Sequence, residues 1–296
     1  MSAPLWRQPR YPLEWLVPAL FLVVLFTAYP VAHALWTSLH QVMVLLPGEP
    51  FIGLKNYRSV ITSSYFVVAL RNSLVFTVIS APLVVLLGLG VAQLLLARFK
   101  GRALVRYVVI LPWVLPGAIT AVLWIWIFNP SWGILNLALY RLGLIDHYVP
   151  WLTDPVLVRA CVIVAHVWTQ IPFAAVLLMA ALVAIDPEQH DAARMDGATP
   201  LQRFRFISLP QIKAMVVVLL VYNTLIAFTS YDIIYAMTGG GPGTATTMLS
   251  FQIWKESFSM LNFGNGSAVA FIMVLISVGF ILAIVKALPS DLFGED

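Results

Sequence analysis

Charge-free apolar runs alternate with polar breaks six times along this chain. The runs between charges are Trp15–Leu39, Ser73–Ala97, Tyr107–Phe128, Ala160–Ile185, Ala214–Met237 and Ser267–Val285. Each is long enough to cross a hydrocarbon core about 30 Å thick as a helix of about twenty residues. Each is also continuous, whereas a strand of a membrane barrel alternates over about ten residues. The pattern predicts an all-α membrane protein with six transmembrane helices, forming a single transmembrane domain over residues 1–296. Only Asp232 puts a charge inside a run.

The most charged break is Asp186–Lys213, which holds eight of the thirty charged residues in twenty-eight positions. Asp186-Pro187-Glu188-Gln189 reads as an N-cap, a proline at the first helical position, and Gln189 at the reciprocal capping position. The helix is expected to run to about Asp196 and stop at Gly197, the residue type suited to a left-handed C-cap. Thr199-Pro200-Leu201-Gln202 repeats the start signal, and the second helix is expected to end by Ser208–Leu209, before Pro210. Ala192 and Ala193 allow close backbone approach, while Met195, Leu201, Phe204 and Ile207 offer apolar surface. Two readings stay open on these features: a helix pair laid in a groove of a soluble partner, or an amphipathic segment resting on the membrane with Arg203 and Arg205 near the head groups.

Composition agrees with lipid as the main solvent. The chain is 61% hydrophobic and 10% charged, against about a quarter charged in a soluble domain. Its net charge of +4 is not a nucleic-acid signature, because the basic residues sit at the ends of apolar runs and not on one face. The one cysteine, Cys161, lies inside an apolar run, so the chain offers neither a disulfide framework nor a thiolate metal site. Lys and Arg also set an orientation. With the N-terminus inside, eleven fall on the cytoplasmic side (Arg7, Arg10, Arg98, Lys100, Arg102, Arg106, Arg194, Arg203, Arg205, Lys213, Lys286) and six outside (Lys55, Arg58, Arg71, Arg141, Arg159, Lys255). The excess favours N-in, C-in, with the polar island in the cytoplasm. Ala32-His33-Ala34 resembles a signal cleavage site, but the run before it is longer than a signal segment and carries Pro18 and Pro30, so it is kept as a helix.

Within the island, Asp191-Ala192-Ala193-Arg194-Met195-Asp196-Gly197-Ala198, followed by Phe204, Ile207, Leu209 and Pro210, resembles the cytoplasmic "EAA" loop of permease subunits of ATP-binding-cassette importers. Asp191 stands where that family usually has Glu. The likeness covers nearly the whole chain and is closest to the carbohydrate importers, the maltose and glycerol-phosphate permease branch. Tyr29-Pro30, Gly53-Leu54-Lys55-Asn56-Tyr57, Leu111-Pro112, Phe128-Asn129 with Gly133 and Asn136, Trp168 with Pro172, and Thr238-Gly239-Gly240-Gly241-Pro242 with Ala245-Thr246 fall where that branch has them.

The resemblance implies a permease subunit in the inner membrane of a prokaryote, paired with a second permease subunit, here expected to be a different chain. Two cytoplasmic ATPase subunits would bind ATP and Mg, and an extracytoplasmic solute-binding protein would deliver a sugar-like substrate. Asp191, Ala192, Ala193, Arg194, Met195, Asp196 and Gly197 would be the ATPase-coupling positions. No cofactor is expected on this chain, which lacks the G-x-x-x-x-G-K-S/T phosphate loop.

Polar side chains at membrane depth are costly and mark pathways by default. His166, Thr169, Gln170 and Phe173 recur at i, i+3, i+4 and i+7, on one face of the fourth helix. Pro172 on that helix frees a carbonyl and invites a kink. Asn223, Ala227 and Ser230 make a matching stripe on the fifth, with Tyr231 and Asp232 just beyond. The resemblance implies that these stripes contact sugar. The plainer reading is interhelical hydrogen bonding at about 0.6 kcal/mol per contact. Asp232 is expected at the rim, and a proton relay through it would instead make the chain an ion-coupled secondary transporter or channel acting alone. No Ser/His, paired-Asp or His-x-x-x-His arrangement occurs in the runs, so no catalytic residue is expected.

Overall fold

The computed structural model describes residues 16–286. Among these, helices account for nearly all regular structure, with two isolated bridges, His40 to Phe51 and Met43 to Asn262, in place of any sheet. The chain divides into two compact units, one from the residues up to Ile61 with Ile253–Phe271, the other from Thr62–Gln252 with the residues from Ile272 onward.

In the first unit the N-terminal helix runs Val17–Ser38, and Trp15, where the apolar run begins, lies outside the described residues. A π turn over Val24–Ala28 sits directly ahead of Tyr29-Pro30. Pro30 has no N–H to continue the ladder, and a wider turn is one way a helix absorbs that loss. Past the helix the chain is clamped by the Gly53–Tyr57 stretch. The buried Asn56 donates to the carbonyls of Ser38 and His40, both at 2.8 Å, and Tyr57 Oη meets Ser38 Oγ at 2.7 Å.

The second unit is built on two long helices, Ser64–Leu96 and Leu157–Val183. Along the first, Ala81, Val84, Gly88, Ala92 and Leu95 are buried, and along the second Ala174, Ala175 and Leu178. A Cβ placed on Gly88 would stand 2.8 Å from Ala174 Cβ and 3.3 Å from the Ala175 amide nitrogen. The two backbones therefore meet where neither carries bulk, as small residues permit in membranes. Pro82 and Pro172 lie inside these helices without ending them, since neighbouring groups in a bundle compensate a missing N–H.

The helices depart from the charge-delimited runs in three ways. The second begins at Ser64, nine residues before the expected Ser73, because Ser63 Oγ caps it by accepting from the Phe66 amide at 3.1 Å. Arg71 interrupts the apolar run but not the helix. The fourth likewise starts at Leu157, where Asp154 Oδ1 accepts from the amides of Leu157 and Val156 at 2.9 and 2.8 Å. Those two bonds hold the Asp154 carboxyl below the usual carboxylate range. The sixth extends over Phe263–Lys286.

Two expected helices are broken. The third splits into Arg102–Val114 and Gly117–Ile127, bent by 107°. Leu115, forced to an extended conformation (φ −76°, ψ 131°) by the proline after it, and Pro116 form the break. The fifth stops at Phe228, and Asp232–Thr238 is a separate short helix that ends on left-handed Gly239. Among the described residues four helices are long and apolar enough to cross a membrane on their own, and up to six spans result if Arg102–Val114 with Gly117–Ile127, and Pro200–Gln211 with Lys213–Phe228, each count as one.

The Gly88 contact predicts that Gly88→Val destabilises the chain by about 1–3 kcal/mol through overpacking. Gly90→Val, where an added Cβ meets nothing within 4 Å, is expected to leave stability nearly unchanged. Thermal unfolding of the two variants in detergent checks the difference.

Candidate functional site

Both breaks open onto the same place. Where Arg102–Val114 gives way to Gly117–Ile127, and where Lys213–Phe228 gives way to Asp232–Thr238, an open pocket of about 840 Å³ forms against the middle of Leu157–Val183. Its polar lining is His166, Thr169 and Gln170 from the long helix, and Thr229, Ser230, Tyr231 and Asp232 from the second break. Trp113, Leu115, Ile226 and Ile233 supply the apolar walls. Gly117 completes it: a Cβ there would lie 2.9 Å from Asp232 Cβ, so only glycine lets the broken third helix approach the acid.

Six of the nine residues expected along a solute path therefore share one pocket. His166 is 2% exposed, with its ring edge-on to Phe76 at 5.0 Å, and its Nε2 has no hydrogen-bond partner among the described residues. Thr169 Oγ1 donates to the His166 carbonyl at 2.7 Å, so its oxygen keeps acceptor capacity for a ligand. The other three stand behind. Phe173 packs between Trp113 and Tyr222, at 5.6 and 4.8 Å between ring centres. Asn223 is buried, with Nδ2 donating to the Leu219 carbonyl, and Ala227 is fully buried. Ser230 does not extend a helical stripe from Asn223, because the helix ends at Phe228; its carbonyl instead accepts from Ser250 Oγ. Asp232 opens a separate short helix and is not the buried acid of a continuous span.

Trp113, Gly117 and Thr229 were not among the expected residues. The signal for Trp113 and Gly117 was Leu115-Pro116, which turns a continuous apolar run into two helices with a gap; Thr229 enters through the helix end at Phe228. Gly117→Val is predicted to push into Asp232 and narrow the pocket, reducing solute uptake while membrane insertion is kept. Uptake by proteoliposomes, with the quantity of inserted chain measured alongside, checks it.

The polar island is the second candidate element. Its first helix, Pro187–Met195, is capped by Asp186 Oδ1 accepting from the Glu188 amide at 2.9 Å. Gly197 adopts φ +78°, and the Ala198 and Gly197 amides close the end on the carbonyls of Ala193 and Arg194, as in a Schellman stop. Thr199 and Gln202 form a full capping box. Gln189 does not close a box with Asp186; its Oε1 accepts from Gln211 Nε2 at 2.5 Å and ties the two helices together. The second helix does not stop before Pro210 either. It continues over Pro200–Gln211, because a π turn at Phe204–Ser208 takes up the proline's missing bond, and then meets Lys213–Phe228 at 68°.

The exposed side of the island carries an Arg194–Asp191 pair at 2.7 Å, of the surface kind worth about 0.2–1 kcal/mol. Met195, Leu201 and Phe206 stand 89%, 73% and 70% exposed. Phe204 and Ile207 are half-buried, so Phe206 takes the outward place expected of them. Beneath lies an open cleft of about 1490 Å³ between the island and the ends of the two long helices, edged by Gln93, His190, Asp191, Arg194 and Arg203.

Two loop motifs prove to be structural. Asn129 Oδ1 accepts from the amides of Ser131 and Trp132. The fully buried Asn136 donates to the carbonyls of Asn129 and Val149 and accepts from the Val149 amide and Trp151 Nε1. A side chain on Gly133 would strike the carbonyls of Asn129 and Ile127. The glycine-rich loop is pinned by Thr246 and Thr247, whose hydroxyls donate to the carbonyls of Gly241 and Gly240. Asn72 Nδ2 holds the carbonyls of Thr244 and Thr247.

Apolar helices packed around a polar pocket fit a membrane permease, a pore subunit. The chain belongs to the binding-protein-dependent transport system inner membrane components, whose family model matches residues 84–289. It is 34% identical over 281 residues to the trehalose/maltose transport system permease protein MalF of Thermococcus litoralis, covering 95% of this chain and 94% of that one. It is 35% identical over 265 residues to the sulfoquinovosyl glycerol transport system permease protein SmoG of Agrobacterium fabrum, covering 89% and 85%. A chain of a bacterial ABC transporter involved in the import of the acidic polysaccharide alginate superposes with a TM-score of 0.78 over 93% of both chains at 24% identity, a likeness of fold. This membership sets aside a self-sufficient channel or ion-coupled carrier.

Proposed function

We propose that this chain is the permease subunit of an ATP-driven importer for an uncharged sugar or oligosaccharide. The observation that carries the reading is the pocket at the two helix breaks. Amide, hydroxyl and imidazole groups there match the donors and acceptors of sugar hydroxyls, and Trp113 offers a ring face for stacking. The pocket holds one carboxylate, Asp232, and no Lys or Arg, so an acidic sugar would meet like charge with no counter-ion. Relatives named for trehalose and maltose agree with this choice better than those named for anionic solutes.

The fuller arrangement follows from the same reading. Six spans run N-in to C-in, the third made of Arg102–Val114 with Gly117–Ile127 and the fifth of Lys213–Phe228 with Asp232–Thr238. The helix pair over 186–213 is the cytoplasmic coupling loop, and Asp191 through Gly197 dock on one of two ATPase subunits that bind ATP and Mg. A second, different permease chain completes the pore, and an extracytoplasmic binding protein delivers the solute. Asp191, shorter than the family's Glu, keeps the charge and uses it to hold Arg194 along the helix.

Two experiments test this. In proteoliposomes holding the chain with its partner subunits, uptake of trehalose or maltose should require ATP, and Asp232→Asn should admit acidic sugars better than the wild type. ATP-independent uptake by this chain alone would overturn the proposal. A Cβ on Gly197 meets nothing within 4 Å in the chain itself, so within the chain a side chain is penalised only by the left-handed backbone at φ +78°, and an Asn variant separates that strain from a clash with a partner. Gly197→Trp should abolish uptake and ATPase stimulation while the chain stays in the membrane, and Gly197→Asn, which tolerates the left-handed conformation, should retain most of both. Unchanged uptake in Gly197→Trp would refute the docking role.

A further inference from the structure

A second cleft, of about 570 Å³, lies apart from the solute pocket. Arg71, two turns into Ser64–Leu96, and Arg159, in the first turn of Leu157–Val183, stand at its polar edge. Val75, Phe76, Val162 and Met248 line its apolar part, and no acid takes part. Arg159 spends only Nε on the protein, donating to the Ala245 carbonyl at 2.9 Å, which fixes the guanidinium and leaves its terminal nitrogens for another acceptor. Arg71 forms no hydrogen bond or ion pair with any described residue. Val75 is 45% exposed, so the cleft is open at its apolar side.

We propose that this cleft binds an anionic phospholipid, the two guanidinium groups holding the phosphodiester and the apolar part taking the start of an acyl chain. Paired arginines suit phosphate oxygens, and the apolar lining beside them suits the acyl chain that a lipid phosphate carries. A free phosphate would gain nothing from the apolar lining, and an uncharged lipid nothing from the arginines. Phe76 gives the site a consequence. Phe76 lines this cleft, and its ring meets His166 of the solute pocket edge-on at 5.0 Å, so an occupied cleft would fix the wall against which His166 rests.

Native mass spectrometry of the assembled transporter, equilibrated with phosphatidylglycerol or phosphatidylcholine, tests the site. The wild type should retain phosphatidylglycerol in preference, and Arg71→Gln should weaken retention about fivefold, the equivalent of about 1 kcal/mol per basic residue near a lipid surface. Val75→Gln should weaken it too, by spoiling the apolar part without touching charge. Arg159→Lys, which keeps the charge and loses the fork, should fall between Arg71→Gln and the wild type. Equal retention of both lipids by the wild type, or equal phosphatidylglycerol retention by wild type and Arg71→Gln, overturns the proposal. Displacement of the lipid by millimolar inorganic phosphate would show a small-anion site and overturn the lipid as occupant.

Discussion

The second unit depends on one close approach, Gly88 against Ala174 and Ala175. Lipid gives no hydrophobic drive to bring helices together, so packing and interhelical bonds must do it. A glycine facing two alanines lets backbones meet at the one separation that small side chains allow, with Val84, Leu95 and Leu178 fully buried beside them. Once Ser64–Leu96 and Leu157–Val183 are fixed to each other, everything else in the unit is hung on them. Asn72 and Ser73 of the first hold the glycine-rich loop and the Leu249 amide, and Arg159 of the second holds the Ala245 carbonyl.

Against that rigid pair the broken helices acquire a purpose. A continuous helix offers the pocket only side chains on one face. Ending Lys213–Phe228 before Asp232, and turning the third helix at Leu115-Pro116, brings Trp113, Gly117, Thr229 and Asp232 to bear on one side of His166 and Gln170. Irregular backbone at membrane depth is tolerated where it lines a cavity, and both breaks do so. Prolines elsewhere have no such effect, because Pro82 and Pro172 sit where packed neighbours hold the helix together.

How much of this could be read in the residues divides along physical lines. Apolar runs located every long helix, since burial in lipid is a property of composition. Their starts were misjudged where a hydrogen bond and not a charge decided them, as at Ser63 and Asp154, and the stop at Phe228 falls inside a run with no charge to mark it. Within the island the Asp186 cap, the Gly197 stop and the Thr199–Gln202 box were legible because capping is local chemistry. The Gln189–Gln211 bond spans twenty-two residues and was not. Helical spacing put His166, Thr169 and Gln170 on one face correctly, but it could not tell that Phe173 would be occupied by Trp113 and Tyr222, nor that Ser230 lies past the helix end.

The same distinction bears on the island as a mechanical part. A loop that passes force between a soluble partner and membrane helices must not dissipate it by fraying. Both island helices are short, and isolated helices under about a dozen residues are marginal in water. Here each start is capped, the first helix is closed on Ala193 and Arg194, and Gln189 joins the first helix to the end of the second. The second helix then runs into Lys213–Phe228 at Ile212, which is 1% exposed, so the bend of 68° is packed and not loose. Under the docking role proposed above, a push on Met195 or Leu201 would reach the helix that ends beside Ser230 and Asp232 through capped and packed segments. The capping residues, which touch neither solute nor nucleotide, are what would make the coupling stiff.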